Sequence, residues 1–151
     1  MKSLFPLFLS LLFLSCSQTT PIPKKTTDDS NDVPTEYINS LNFGKKELLV
    51  TKIDGEFYYI HKNGKKMQTI THENAPDKFS DGLARTRVNG KIGFFNRNLE
   101  ITLKPLYDFA FPFHNGIAEI CTGCVEKEED GTMMLDGGTW KKIDRSGLII
   151  E

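Results

Sequence analysis

Cysteine, histidine and tryptophan are scarce in this chain of 151 residues, with three, three and one copies. The three histidines, His61, His72 and His114, form no ligand-spaced pair, so no histidine-built metal site is legible. Charge of one sign is also missing: the formal net charge is −1, or −2 once Lys2 is removed. No basic field is available to draw in nucleic acid or anionic lipid. Long apolar runs are absent as well. The stretch Leu4 to Leu14 is interrupted by Pro6 and Ser10, and as a helix it would reach only about 16 Å, roughly half a hydrocarbon core, which excludes a transmembrane anchor. Beyond it no segment keeps a helical period, so helix should be scarce. There is no nucleophile elbow, phosphate loop, metalloprotease motif or dinucleotide fingerprint. The chain therefore points away from an enzyme and implies no cofactor.

The N-terminal residues read as a processing signal over 1–15: Lys2 supplies a positive start, an apolar stretch follows, and Ser15 precedes Cys16. Phe13-Leu14-Ser15-Cys16 resembles a bacterial lipoprotein box, with Phe13 where Leu is usual and Leu14 where a small residue is common. The resemblance implies lipidation of Cys16 and anchoring to a membrane of the cell envelope through that lipid. Ser17 after the cysteine implies, by the enteric sorting rule, the outer membrane. The competing reading is an ordinary cleaved signal peptide with an incidental cysteine. Residues 16–40 are polar and proline-bearing, too poor in apolar surface to fold, and read as a tether spanning about 25–30 Å. Residues 41–151 suffice for one small domain.

Within that domain, Phe79-Ser80-Asp81-Gly82-Leu83-Ala84 recurs as Phe113-His114-Asn115-Gly116-Ile117-Ala118, and Gly82 to Gly116 is 34 residues. Such a period marks stacked units, none able to bury its apolar face alone. Seven of the twelve glycines follow Asn or Asp, the pairing that a two-residue type I′ hairpin demands. Between them lie aromatic and β-branched runs, and Leu99-Glu100-Ile101-Thr102-Leu103-Lys104 alternates apolar with polar, as a half-buried strand does.

Three windows share one layout of turn, strand and turn, starting at Asp54, Asn89 and Gly137. They resemble the WG-repeat family of bacterial proteins. The middle copy is nearest, through Asn89-Gly90-Lys91-Ile92-Gly93-Phe94, Pro105-Leu106-Tyr107-Asp108-Phe109-Ala110 and Phe113-His114-Asn115-Gly116-Ile117-Ala118. The third copy keeps Trp140, Ile143, Asp144 and Gly147, but no copy has an intact Trp-Gly pair. The resemblance implies an all-β domain of antiparallel hairpin repeats, about three units of three short strands. These fall at 48–53, 56–62 and 65–70; at 83–88, 91–96 and 99–104; and at 117–121, 139–144 and 148–151. Gly90 to Gly138 is 48 residues, so the third unit carries an insertion, expected to be a loop. Its terminal Leu148-Ile149-Ile150 must pair with existing structure, since a free apolar edge invites aggregation.

Cys121-Thr122-Gly123-Cys124 is the sharpest local motif. With Cys16 acylated, these two thiols are the only ones left, and in an oxidising envelope a structural disulfide at the mouth of the insertion is expected. A zinc site would need two further ligands. A redox-active pair would need a helix N-terminus, whereas here the acidic run Glu126 to Asp130 follows. That run lacks the alternating spacing of a calcium loop and reads as a solvated loop. Phe57, Tyr58, Tyr59, Phe94, Phe95, Tyr107, Phe109, Phe111, Phe113 and Trp140 are numerous for the length. Recurring once per repeat they serve inter-unit packing, and where exposed they could hold a glycan or peptide. The expected role is a non-enzymatic binding module with a protein or envelope-glycan partner. The alternatives are a structural lipoprotein with no dedicated ligand, or a metal-binding or redox protein using Cys121 and Cys124.

Overall fold

The computed structural model describes residues 32–150; the leader, Cys16, most of the expected tether and Glu151 lie outside them. Five Asn/Asp-Gly pairs, at 54–55, 81–82, 89–90, 115–116 and 130–131, have φ of 49–52° at the first residue and 76–91° at the glycine, the left-handed pair that a type I′ turn requires. These turns fold the chain into antiparallel hairpins. One three-stranded sheet comprises β1 (Leu48–Ile53), β2 (Glu56–His61) and β3 (Lys66–Gln68). A two-stranded link, β4 (Thr71–His72) and β5 (Ala75–Pro76), leads to the second sheet, β6 (Leu83–Val88), β7 (Lys91–Asn96) and β8 (Ile101–Tyr107). The third sheet runs in the order β11-β10-β9, from β9 (Phe109–Ala110), β10 (Ile117–Glu129) and β11 (Thr132–Asp144). The fold is all-β, as expected.

Register shows how the units stack. Residues opposite one another share a face of the sheet. Ala84 opposite Phe95 in the second sheet corresponds to Ala118 opposite Ile143 in the third, and Arg85 opposite Phe94 corresponds to Glu119 opposite Lys142. The Phe94 face of the second sheet, with Ile92 and Leu103, packs on Phe113, Ala118, Ile120 and Ile143 of the third unit. Its reverse face, with Ala84 and Phe95, packs on Tyr59 and Met67 of the first. The forward face of each unit thus lies on the rear face of the next. Phe94 meets Phe113 edge to face at 4.8 Å, and Phe79 stands between Tyr59 and Phe95 at 4.8 and 5.5 Å.

Polar groups also tie the units together. Arg85 and Asp77 form a buried bidentate pair: Nε and Nη2 donate to the carboxylate at 3.0 and 2.7 Å, and Nη1 donates to the Ala110 carbonyl at 2.7 Å. The Tyr59 hydroxyl donates to the Asp77 carbonyl at 2.7 Å, linking the first unit to the same node. At the rim, the Asp81 carboxylate accepts from the Gly116 amide at 2.7 Å, and the Ser80 hydroxyl donates to the Phe113 carbonyl. The equivalent turns of successive units are thereby clamped to each other.

Several boundaries differ from expectation: the strands expected at 56–62 and 65–70 span Glu56–His61 and Lys66–Gln68, and the third strand of the third sheet is β9 in place of 148–151. The third strand of the middle unit begins at Ile101, not Leu99, because Leu99 takes φ +58° and closes a turn onto the Asn96 carbonyl at 3.0 Å. Within the stretch assigned to the tether, Asp32 bridges Lys65, the Val33 amide donates to the Gly64 carbonyl at 2.8 Å, and Thr35–Ser40 forms helix α1. The largest correction concerns the insertion, which is not a loop. Residues 125–129 pair in register with 132–136 around the Asp130-Gly131 turn, extending β10 and β11 into one long hairpin arm. The C-terminal run does pair, through the Ile143–Ile149 bridge and an Ile150 amide donating to the Lys142 carbonyl at 2.9 Å, although Leu148, Ile149 and Ile150 stay exposed.

Candidate binding face on the third unit

The cysteine motif sits where the long hairpin changes register. Cys121 lies opposite Trp140, Thr122 opposite Thr139 and Cys124 opposite Gly137. Gly123 and Gly138 both take φ +79°. A Cβ at Gly138 would stand 2.5 Å from the Cys124 amide nitrogen and 2.6 Å from the Cys121 sulfur. Glycine there is what lets the two cysteines turn toward each other. Their Cα atoms are 6.1 Å apart and their sulfurs are in contact, within the span a disulfide closes. Both are buried.

Asp108 holds this irregularity in place. Its amide donates to the Cys121 carbonyl at 2.9 Å, and its carboxylate accepts from the Gly123 amide at 2.6 Å while pairing with Lys91. The Lys91 ammonium, and then the Gly123 amide, hold the Asp108 carboxyl below the usual aspartate range. Asp108 belongs to the Pro-Leu-Tyr-Asp segment, so that repeat signature has a visible structural task here.

Above the cysteines lies the forward face of the third unit, which no further unit covers among the described residues. The ladder aligns Phe109, Cys121 and Trp140 in one row. In the next row Glu119 stands opposite Lys142, and the Phe111 amide donates to the Glu119 carbonyl at 2.8 Å. Phe111 stacks on Trp140 at 5.9 Å and 29°, and Phe109 meets both rings edge-on at 5.1 and 6.1 Å. Trp140 is 41% and Phe111 45% exposed. Their counterparts one unit earlier differ: Trp140 takes the place of Ile92, 1% exposed, and Lys142 that of Phe94, 0% exposed. By the 34-residue offset, Phe109 and Phe111 replace Ala75 and Asp77, and Glu119 replaces Arg85. A shallow depression of about 260 Å³ at the edge of this face is lined by Glu119, Trp140, Lys141 and Lys142.

The other sequence candidates do not converge. His61, His72 and His114 are scattered, and among the described residues no group of three or more His, Cys, Asp or Glu side chains could hold a metal ion. The acidic run Glu126 to Asp130 alternates across the two sides of the arm, where Glu126 pairs with Arg87 at 3.0 Å and Lys127 pairs with Asp136. Between the arm and the first unit runs a wide groove of about 1160 Å³, flanked by Lys52, His72, Arg87, Met133 and Leu135. Cys16 lies outside the described residues. Sequence reasoning missed Glu119, Lys142 and the node formed by Arg85 and Asp77; for the first two, the signal was the exchange of charge for apolar or opposite charge between aligned copies.

Stacked antiparallel hairpin units, with the turns of the second and third clamped to each other, define the class of fold. The family model described as WG containing repeat matches residues 92–123, the span from β7 into the cysteine motif, and that span is similar to its repeat. No curated protein and no solved structure gives a significant match to the chain.

Proposed function

We propose that this chain is a non-enzymatic binding module of the bacterial cell envelope, held to a membrane by lipid on Cys16, probing its surroundings with the open forward face of its third unit. The observation that carries this reading is the exposed stack of Trp140 and Phe111 at positions equivalent to covered ones in the preceding unit. A repeat face that stays uncovered is normally polar. Glu119 and Lys142 follow that rule, whereas the three rings do not. In this reading Cys121 and Cys124 are an oxidised, structural pair that stiffens the sheet under the rings. The absence of a recognisable catalytic motif in the sequence supports a binding role.

Crosslinking in intact envelopes through a photoreactive residue at Phe111 should recover a discrete adduct; a profile identical to that of a probe at the arm tip, Asp130, would sink the reading. Cys16→Ala should release the chain from membranes and abolish acyl labelling, and unchanged membrane association would exclude the lipid anchor.

A further inference from the structure

We infer that the occupant of the Trp140 face is a glycan, specifically a chain of N-acetylhexosamines such as the bacterial cell wall presents; this rests on the binding-module reading above and names its ligand class. The chemistry of the face selects it. A pyranose has one apolar C–H face, which stacks on an aromatic ring, and a rim of hydroxyls that need donors and acceptors. Trp140 and Phe111 offer a stacked aromatic surface, and Glu119, Lys141 and Lys142 border the depression beside the indole. The carboxylate of Glu119 can accept from an acetamido N–H, and the lysine ammonium groups can donate to hydroxyl or acetyl oxygens. The acetyl methyl adds apolar contact to the rings.

A further repeat unit is a poorer occupant. In the covered interface of the preceding unit the corresponding residue is Phe94, fully buried against Phe113; here the same position is Lys142, opposite Glu119. A packed protein core would have to desolvate both charges, which costs more than their attraction returns unless every hydrogen bond is remade. A hydroxylated ligand leaves them partly wet. The depression of about 260 Å³ suits a single ring docking at a time.

Trp140 is the only tryptophan of the chain, so its emission reports this face and nothing else. Titrating the purified full chain with N-acetylglucosamine tetramer should shift and saturate that emission, whereas glucose tetramer, lacking acetamido groups, should need at least tenfold higher concentration. Retention on purified cell-wall sacculi should fall at least tenfold in Trp140→Ala and several-fold in Glu119→Gln; because Trp140→Ala also removes ring contacts with Phe109 and Phe111, the exposed Glu119→Gln, with its melting temperature unchanged, keeps loss of binding separate from loss of fold. No emission change and no retention on sacculi would overturn the glycan assignment. If the Phe111 crosslink still captures a discrete protein adduct, the binding module survives with a different ligand class; if both fail, both readings fall. Equal response to the two tetramers would overturn the N-acetylhexosamine choice.

Discussion

At Gly93 there is no room for a methyl group. A Cβ would stand 2.7 Å from the Leu103 carbonyl oxygen and from the Pro105 nitrogen, all backbone, where β8 shifts register as it crosses β7. Neither strand can yield without breaking its ladder, so Gly93→Ala should lower stability by about 1–3 kcal/mol, the usual cost of overpacking, seen as a lower urea midpoint. At the matching position of the first unit, Tyr58 pairs with Gln68 in a ladder without a register shift, so no such close crossing excludes a side chain there. Gly93 was legible as the glycine of the repeat signature, but its reason was not, because the close crossing is set by a bulge in β8 that no local pattern announces. Arg85 was illegible for a different cause. In Leu83-Ala84-Arg85-Thr86-Arg87 its alternation resembles a solvent-facing position, and only the stacking of units buries it against Asp77 and the Ala110 carbonyl.

Among elements, the long hairpin shows how far turn chemistry can be trusted. Five of the seven Asn/Asp-Gly pairs take positive φ at both residues, while at 63–64 and 136–137 only the glycine does. Asp136-Gly137 therefore lies inside β11 as part of the irregularity opposite the cysteines and closes no hairpin. The long spacing from Gly90 to Gly138 and the acidic run Glu126 to Asp130 made the insertion look like a loop, although Asp130-Gly131 correctly marks the tip of a hairpin. The irregularity depends on the Asp108 carboxylate. Its acidity is enhanced in the folded state, so its contribution is complete above the ordinary aspartate range and is lost as pH falls through the lower folded value. In an NMR titration, the Gly123 amide resonance should stay constant above that range and move as the pH drops below it. Asp108→Asn should remove the titration and leave the Asp130-Gly131 tip unaffected; an unaltered acid-dependent shift in that variant would refute the assignment.

The molecule as a whole is joined through one buried node. Tyr59 from the first unit, Asp77 from the link, Arg85 from the second unit and the Ala110 carbonyl of the third sheet are connected by hydrogen bonds of 2.7–3.0 Å. Asp77→Ala would strand a buried guanidinium and should cost about 3–5 kcal/mol, whereas replacing both charges, Asp77→Ala with Arg85→Met, should restore much of the loss. Thermal unfolding of the two variants measures this; a double variant no more stable than the single one would show that the charges are not what matters. The existence and order of the units were readable from spacing alone, since each repeat carries its own turn. Their coupling was not, because it is made by residues that do not repeat.

The turn-to-turn clamp at the rim, with Asp81 on Gly116 and Ser80 on Phe113, has a consequence for how such a chain can change over time. Each clasp is one short polar side chain on a backbone group of the next turn, so the pitch between these two units is set at the rim, apart from the apolar residues between the sheets. Ile92-Gly93 and Trp140-Lys141 can differ at equivalent positions while the turns of the two units stay clasped. Dissimilar interiors and a regular stack are then one fact seen from two sides: the ruler is on the outside.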